Sequence, residues 1–302
     1  MMLPRPSPAP LVAVCLLAVA LVAGCGRPES GARSGRVVIQ NKGSDTLVNV
    51  AQAWAEAYKE VAPDVAIAVT GGGSGTGISA MINGTVDIAS SSREMTEREL
   101  EAARANGVEP VEHIVGYDAL AIFLHPANPA TAFSLEQLAA IYGEHGDVER
   151  WDQLGLEIPG CPSGEIVRVS RQNNSGTYVY FKEAVLGERQ DYRLGSRDMH
   201  GSKDVVDLVQ NTPCAIGYSG LAYATPKVKV PCITTRPGGD CVVPSVVTAV
   251  DGSYPIARPL FMYTAGAPQG AVKQYLDWVL SEAGQCIILD KGYAPAVDVA
   301  CA

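Results

Sequence analysis

Three times in this chain a short strand-like run ends in small hydroxyl residues and glycine, and a helical pattern follows. "RVVIQ" leads into "NKGSDT", "VAIAVT" into "GGGSGTG", and "EIVRVS" into "RQNNSGT". Parallel strands need long crossover connections, usually helices, so this repetition points to an α/β fold with a largely parallel sheet. After the first turn Leu47, Val50, Ala51, Trp54, Tyr58 and Val61 recur at helical spacing. "VDIAS" supplies a further strand, and Thr96 with Glu99 forms the capping-box start of a helix that stops at Gly107. "ALAIFLHP" (119–126) reads as a buried strand, and Ser134 with Gln137 opens the next helix. Helices are expected around Tyr178, Phe181 and Val185 and near 202–211, with "AIGYSG" as a strand after them. The last third is expected to hold strands at "KVKV", "CVVPSVV" and "RPLFMYT" and a helix carrying Val272, Tyr275, Leu276 and Val279. With 302 residues the chain is long enough for two lobes. One comprises 36–126 plus 223–302 and the other 127–222, with the chain leaving near 126–130 and returning near 220–225.

The beginning of the chain has a different character. Arg5 precedes an apolar run, Ala9 to Gly24, which closes on "LVAGC". That closing resembles a bacterial lipobox, which would make 1–24 a signal peptide and Cys25 the lipidated first residue of an extracytoplasmic, membrane-anchored lipoprotein. An ordinary signal peptide or an uncleaved anchor are the alternatives. Residues 25–35 are polar and glycine-rich, as suits a flexible tether. Beyond Cys15 and Cys25, six cysteines remain: Cys161, Cys214, Cys232, Cys241, Cys286 and Cys301. Export permits disulfides, and loop geometry favours Cys232–Cys241, Cys286–Cys301 and Cys161–Cys214, although sequence cannot choose strictly among the pairings. No C-x-x-C or H-x-x-x-H spacing occurs, so neither a metal nor a cofactor is expected. A formal net charge of -9 argues against a nucleic-acid partner, whose phosphates need many cations. A small anion remains possible where local dipoles and one or two cations converge.

The three turns are suited to such an anion. Amides at a helix start lack intrahelical partners and sit at the positive end of the dipole, hydroxyls add donors, and glycine lets the backbone approach. Serine and threonine also cap ordinary helices, so one turn alone proves little. The third turn adds Arg171, four residues before Ser175, whose planar fork matches two oxygens of a tetrahedral oxyanion. Arg93 follows "VDIASSS", but Glu94 and Glu97 offer it a salt bridge, leaving it open between ligand and scaffold. Enzyme motifs are incomplete. A nucleotide-binding loop needs a lysine that the glycine stretch lacks, and the nucleophile elbow around Ser74 fails at Thr76.

The ordered set of "GSDT", "GSGTG", "VDIASSSR", "GYDALAIFLHP", "SRQNNSGT" and "AIGY" resembles the phosphate-binding proteins of the Pst-type ABC importers, over nearly all of the chain from about Val37. The resemblance implies a two-lobed, type II-like periplasmic-binding-protein fold closing on one inorganic phosphate, and delivery to an ABC transporter permease. A monomer without enzymatic activity is expected. It places the first binding turn on Ser44, Asp45 and Thr46, the second on Ser74, and the third on Arg171, Ser175, Gly176 and Thr177. Ser92 stands where well-known members carry the aspartate that accepts the phosphate proton, and Asn173 stands where some members carry the arginine's aspartate. Asp45, or failing it Asp118, is the expected replacement acceptor, since an acceptor rewards phosphate over sulfate. The competing expectations are a binding protein for sulfate, molybdate or tungstate, and a secreted hydrolase or phosphatase using Ser74 or Ser175.

Overall fold

The computed structural model describes residues 36–187 and 190–301, so the expectations for the signal peptide, for the tether and for Cys25 lie outside the described residues. The expected alternation is present. Strand β1 (Val37–Gly43), helix α1 (Val48–Val61), strand β2 (Val65–Thr70), helix α2 (Ser74–Ile82) and strand β3 (Ile88–Ser91) follow one another, and β1 pairs in parallel with both β2 and β3. Thr96 caps α3 (Glu97–Ala105) with the full capping box that its spacing to Glu99 predicts.

Strand β4 (Val111–Leu124) then serves two sets of partners. Its first part lies antiparallel to β10 (Ala257–Thr264), which also pairs with β3. Its last five residues lie antiparallel to β8 (Ala215–Gly220), and β8 continues in parallel to β6 (Val167–Arg171) and β7 (Arg197–Met199). The sheet order is therefore β2-β1-β3-β10-β4-β8-β6-β7, with β4 passing from one lobe to the other. The first lobe packs α1, α8 (Gly270–Val279) and α9 (Glu282–Asp290) around a core that includes Leu47, Trp54, Leu260 and Tyr275. The second builds its largest core from Phe133, Tyr142, Trp151, Phe181 and Tyr218, with α4 (Leu135–Tyr142) and α5 (Gly176–Phe181). Helix α6 (Ser202–Gln210) covers the opposite face of the second lobe through Val205, Val206 and Val209.

Strand β9 (Cys232–Thr234) pairs in parallel with β5 (Ala132–Ser134), and Tyr254 and Ile256 join the core around Phe133. Residues 232–234 and 254–256 thus pack on the Phe133 side of the molecule. Two expected strands are absent here. "KVKV" contributes one bridge, Lys229 to Leu124, and part of "CVVPSVV" is helix α7 (Val246–Val250), started by Ser245 and Thr248. Pro231 directly follows the first run and Pro244 interrupts the second, and proline has no amide for a ladder. The three disulfides join Cys161 to Cys214, Cys232 to Cys241 and Cys286 to Cys301, as loop geometry favours. Among the described residues no helix is long and apolar enough to cross a membrane.

Candidate functional site

The three hydroxyl-bearing turns meet at the boundary between the lobes. Ser44, Asp45 and Thr46 follow β1, Ser74 opens α2 after β2, and Ser92 follows β3. From the other lobe Arg171 ends β6, and Ser175 caps α5, accepting from the Thr177 amide at 3.2 Å. Thr46 Oγ1 and Thr177 Oγ1 lie 3.1 Å apart across the cleft. A Cβ placed on Gly176 would sit 2.3 Å from Ser74 Oγ and 2.6 Å from Ser92 Oγ, so only a glycine lets the start of α5 come this near. Beside this centre the Gly75 amide donates to the Asn174 carbonyl at 3.0 Å, and Asn174 Nδ2 donates to the Gly72 carbonyl at 2.9 Å.

The hydroxyls are buried but not exhausted. Ser44, Thr46, Ser74, Ser92, Ser175 and Thr177 are all buried. Ser74 Oγ accepts from the Ser92 amide at 3.1 Å, which leaves its own hydrogen to donate elsewhere. Ser44 Oγ has no hydrogen-bond partner among the described residues. A buried hydroxyl without a partner is costly unless something completes it, so this cluster is built to receive a group rich in acceptors.

Arg171 supplies the positive charge, yet most of its donors are engaged. Nε reaches the Met199 carbonyl, Nη1 reaches Ser202 Oγ at 3.1 Å, and Nη2 donates to both the His200 carbonyl and Asp45 Oδ2, the latter at 3.1 Å. A guanidinium has five N–H donors, so the expected two-pronged grip on an oxyanion reduces here to the remaining Nη1 hydrogen. Burial lowers the arginine's pKa from its usual value, and the Asp45 carboxylate opposes that shift. Asp45 is correspondingly occupied. Its Oδ1 accepts from the Gly72 amide at 2.9 Å and its Oδ2 from Arg171. It stands as the counterion of Arg171, contributed from the opposite lobe, and so fills the place that Asn173 leaves open. That geometry argues against the free proton acceptor expected of Asp45.

Asp118, the second expected acceptor, gives one oxygen to an arginine, while its Oδ1 is buried with no hydrogen-bond partner among the described residues. It lies opposite Arg258 in the β4–β10 ladder and accepts from Arg258 Nε at 3.1 Å and Nη2 at 2.8 Å. Burial raises its carboxyl above the usual value, with the Arg258 charge opposing. The same Nη2 lies 3.0 Å from Thr177 Oγ1 and 3.3 Å from Thr46 Oγ1. Sequence reading missed Arg258. The available signal was a charge inside an apolar strand, "PIARPLFM" facing "GYDALAIFL". Arg93 resolves as scaffold, for its guanidinium pairs bidentately with Glu99 at 2.7 and 2.8 Å and also reaches the Glu94 carbonyl. The expected side-chain partners Glu94 and Glu97 are not used, because Glu99 is fixed by its capping role and Glu97 turns to Arg104.

Comparison with known proteins agrees with this architecture. Residues 29–283 match the PBP superfamily domain. The phosphate-binding protein PstS of Pseudomonas aeruginosa is 36% identical over 269 residues, covering 85% of this chain and 82% of that protein. Among solved structures, a phosphate ABC transporter substrate-binding protein of Clostridium perfringens with bound phosphate aligns with a TM-score of 0.75 at 28% identity, covering 86% of this chain and all of that one. An ABC-type phosphate transport receptor of Vibrio cholerae aligns with a TM-score of 0.67 at 25% identity, over 85% of this chain and 99% of its own.

Proposed function

From the premise that this chain belongs to the PBP superfamily, and within it to the phosphate-binding proteins named PstS, we propose that it holds one inorganic phosphate between its lobes. The protein is a substrate-binding component, not an enzyme, and it hands phosphate to an ABC importer permease outside the cytoplasmic membrane. The observation that carries the binding reading is the convergence of Thr46, Ser74 and Ser92 from one lobe with Arg171, Gly176 and Thr177 from the other. Contacts drawn from both lobes make the anion part of the interface, so binding favours the arrangement in which the lobes touch. Recruitment of Cys25 as a lipid anchor and a monomeric state complete the proposal.

The phosphate proton needs an acceptor, and both nearby carboxylates already hold arginines. A hydroxyl can donate and accept, so we assign the proton to a serine oxygen, Ser92 Oγ, at the position where the resemblance expects an aspartate. A rotating hydroxyl also donates to sulfate, whereas a carboxylate repels it, so sulfate competes measurably at this site. Titration calorimetry with phosphate, arsenate and sulfate tests the assignment. Phosphate is expected to bind one to one, and Arg171→Ala to weaken it by about 100-fold or more, equivalent to about 2.7 kcal/mol. Near-normal affinity in that variant overturns the site.

A further inference from the structure

The proposed function leaves one buried ion pair unused, and the inference drawn from it rests on that proposal. Arg258 and Asp118 have side chains 0% and 1% exposed, and they face each other on β10 and β4, at the passage between the lobes. Two hydrogens on Arg258 Nη2 have three acceptors in reach: Asp118 Oδ2, Thr177 Oγ1 and Thr46 Oγ1. Neighbouring Nη1 has no hydrogen-bond partner among the described residues.

We propose that Arg258, held by Asp118, is a positioning residue of the phosphate cradle that turns the Thr46 and Thr177 hydroxyls into donors and ties them together across the cleft. The reason is the one-way chemistry of a guanidinium, which can only donate. A threonine oxygen that receives a hydrogen from Arg258 must aim its own hydrogen elsewhere. The two oxygens are 3.1 Å apart, so no more than one of their hydrogens is spent between them. The other points to whatever occupies the cleft, and an oxyanion with only acceptors facing it fits. Without Arg258 either hydroxyl could rotate to present a lone pair, which would repel the anion. One Nη2 hydrogen serves Asp118, so the other goes chiefly to Thr177, the nearer oxygen, and its ordering effect reaches Thr46 in the opposite lobe through the 3.1 Å contact between the two hydroxyls. Asp118 keeps the guanidinium oriented and balances its charge.

The test uses the full-length protein in detergent, inorganic phosphate as ligand, calorimetry for affinity and a thermal midpoint for folding. Removing Arg258 alone would bury an unpaired aspartate, so the decisive variant removes both charges, Arg258→Gln with Asp118→Asn. It is expected to melt close to the wild type yet to bind phosphate roughly tenfold or more weakly. Thr177→Val is expected to cost less in that background than in the wild type, since its hydroxyl is no longer oriented. A double variant that folds and binds like the wild type overturns the inference, as does an unchanged cost of Thr177→Val. If the double variant does not fold, Arg258→Lys decides. It keeps the cation but not the fork, and wild-type affinity in it overturns the inference. A wild type that binds no phosphate overturns the proposed function itself, whereas a wild type that binds beside an unaffected double variant overturns this inference alone.

Discussion

Replacing Asp45 by asparagine preserves the shape of the side chain and removes the charge that faces Arg171. Arg171 is 1% exposed and Asp45 10%, so the variant leaves a cation nearly sealed from water. Breaking such a pair costs about 3–5 kcal/mol, and the slight access of water to Asp45 places the cost near about 3. The new amide also turns a donor toward either Arg171 Nη2 or the Gly72 amide, since one oxygen cannot accept from both. In a chain of this size about 3 kcal/mol corresponds to a fall of roughly 5 °C in the thermal midpoint. A bound phosphate restores negative charge beside Arg171, so the loss should be confined to the free protein. Scanning fluorimetry with and without saturating phosphate reads both states. The expected result is a lowered midpoint without phosphate, a larger rise on adding it than the wild type shows, and a calorimetric affinity equal to or above that of the wild type. An Asp45→Asn protein that melts normally but binds phosphate poorly would refute the counterion role and return Asp45 to the position of proton acceptor.

Two further outcomes follow from the geometry. Gly176→Ala places a methyl group inside 3 Å of both Ser74 and Ser92, so the lobes cannot meet as they do here. Phosphate affinity should fall by about 100-fold or more, and the phosphate-free protein should melt lower too, because the Asp45–Arg171 pair depends on the same meeting of the lobes; an alanine variant with normal calorimetric affinity would contradict the described convergence. Burial tends to raise the Glu99 carboxyl, but the ion pair with Arg93 and the bonds from Thr96 outweigh it and hold the group below its usual 4.5. A depressed carboxylate stabilises the fold above the unfolded value and loses that contribution as pH falls through the folded value. Glu99→Gln should therefore melt lower than the wild type at pH 7, and the two midpoints should converge in acid. A gap that persists unchanged at low pH counts against the pair.

Much of the framework was written in local patterns. Hydrophobic period and turn residues located β1 to β3, α1 to α3 and β10, because each depends on neighbours within a few positions. The three cysteine pairs were accessible for a related reason, since two of them close short loops of 9 and 15 residues. What escaped depends on distance in sequence. Asp45 and Arg171 are 126 positions apart, and Asp118 and Arg258 are 140 apart, so no window of sequence shows either pairing. The pairing of β9 with β5, about a hundred positions earlier, is hidden from local patterns for the same cause. Asp45 illustrates the limit well, for its position in a binding turn was legible while its partner was not.

Strand β4 carries a mechanical consequence. Its fourteen residues run without a break from the ladder with β10 into the ladder with β8. Opening the cleft at this crossing must twist a hydrogen-bonded ribbon, because there is no loop here to swing. A ribbon of this kind acts as a leaf spring, with a restoring force that grows with displacement. Val115, left over between Gly116 opposite Leu260 and Ile114 opposite Phe261, puts a bulge in β4 itself and marks where the ribbon is already bent.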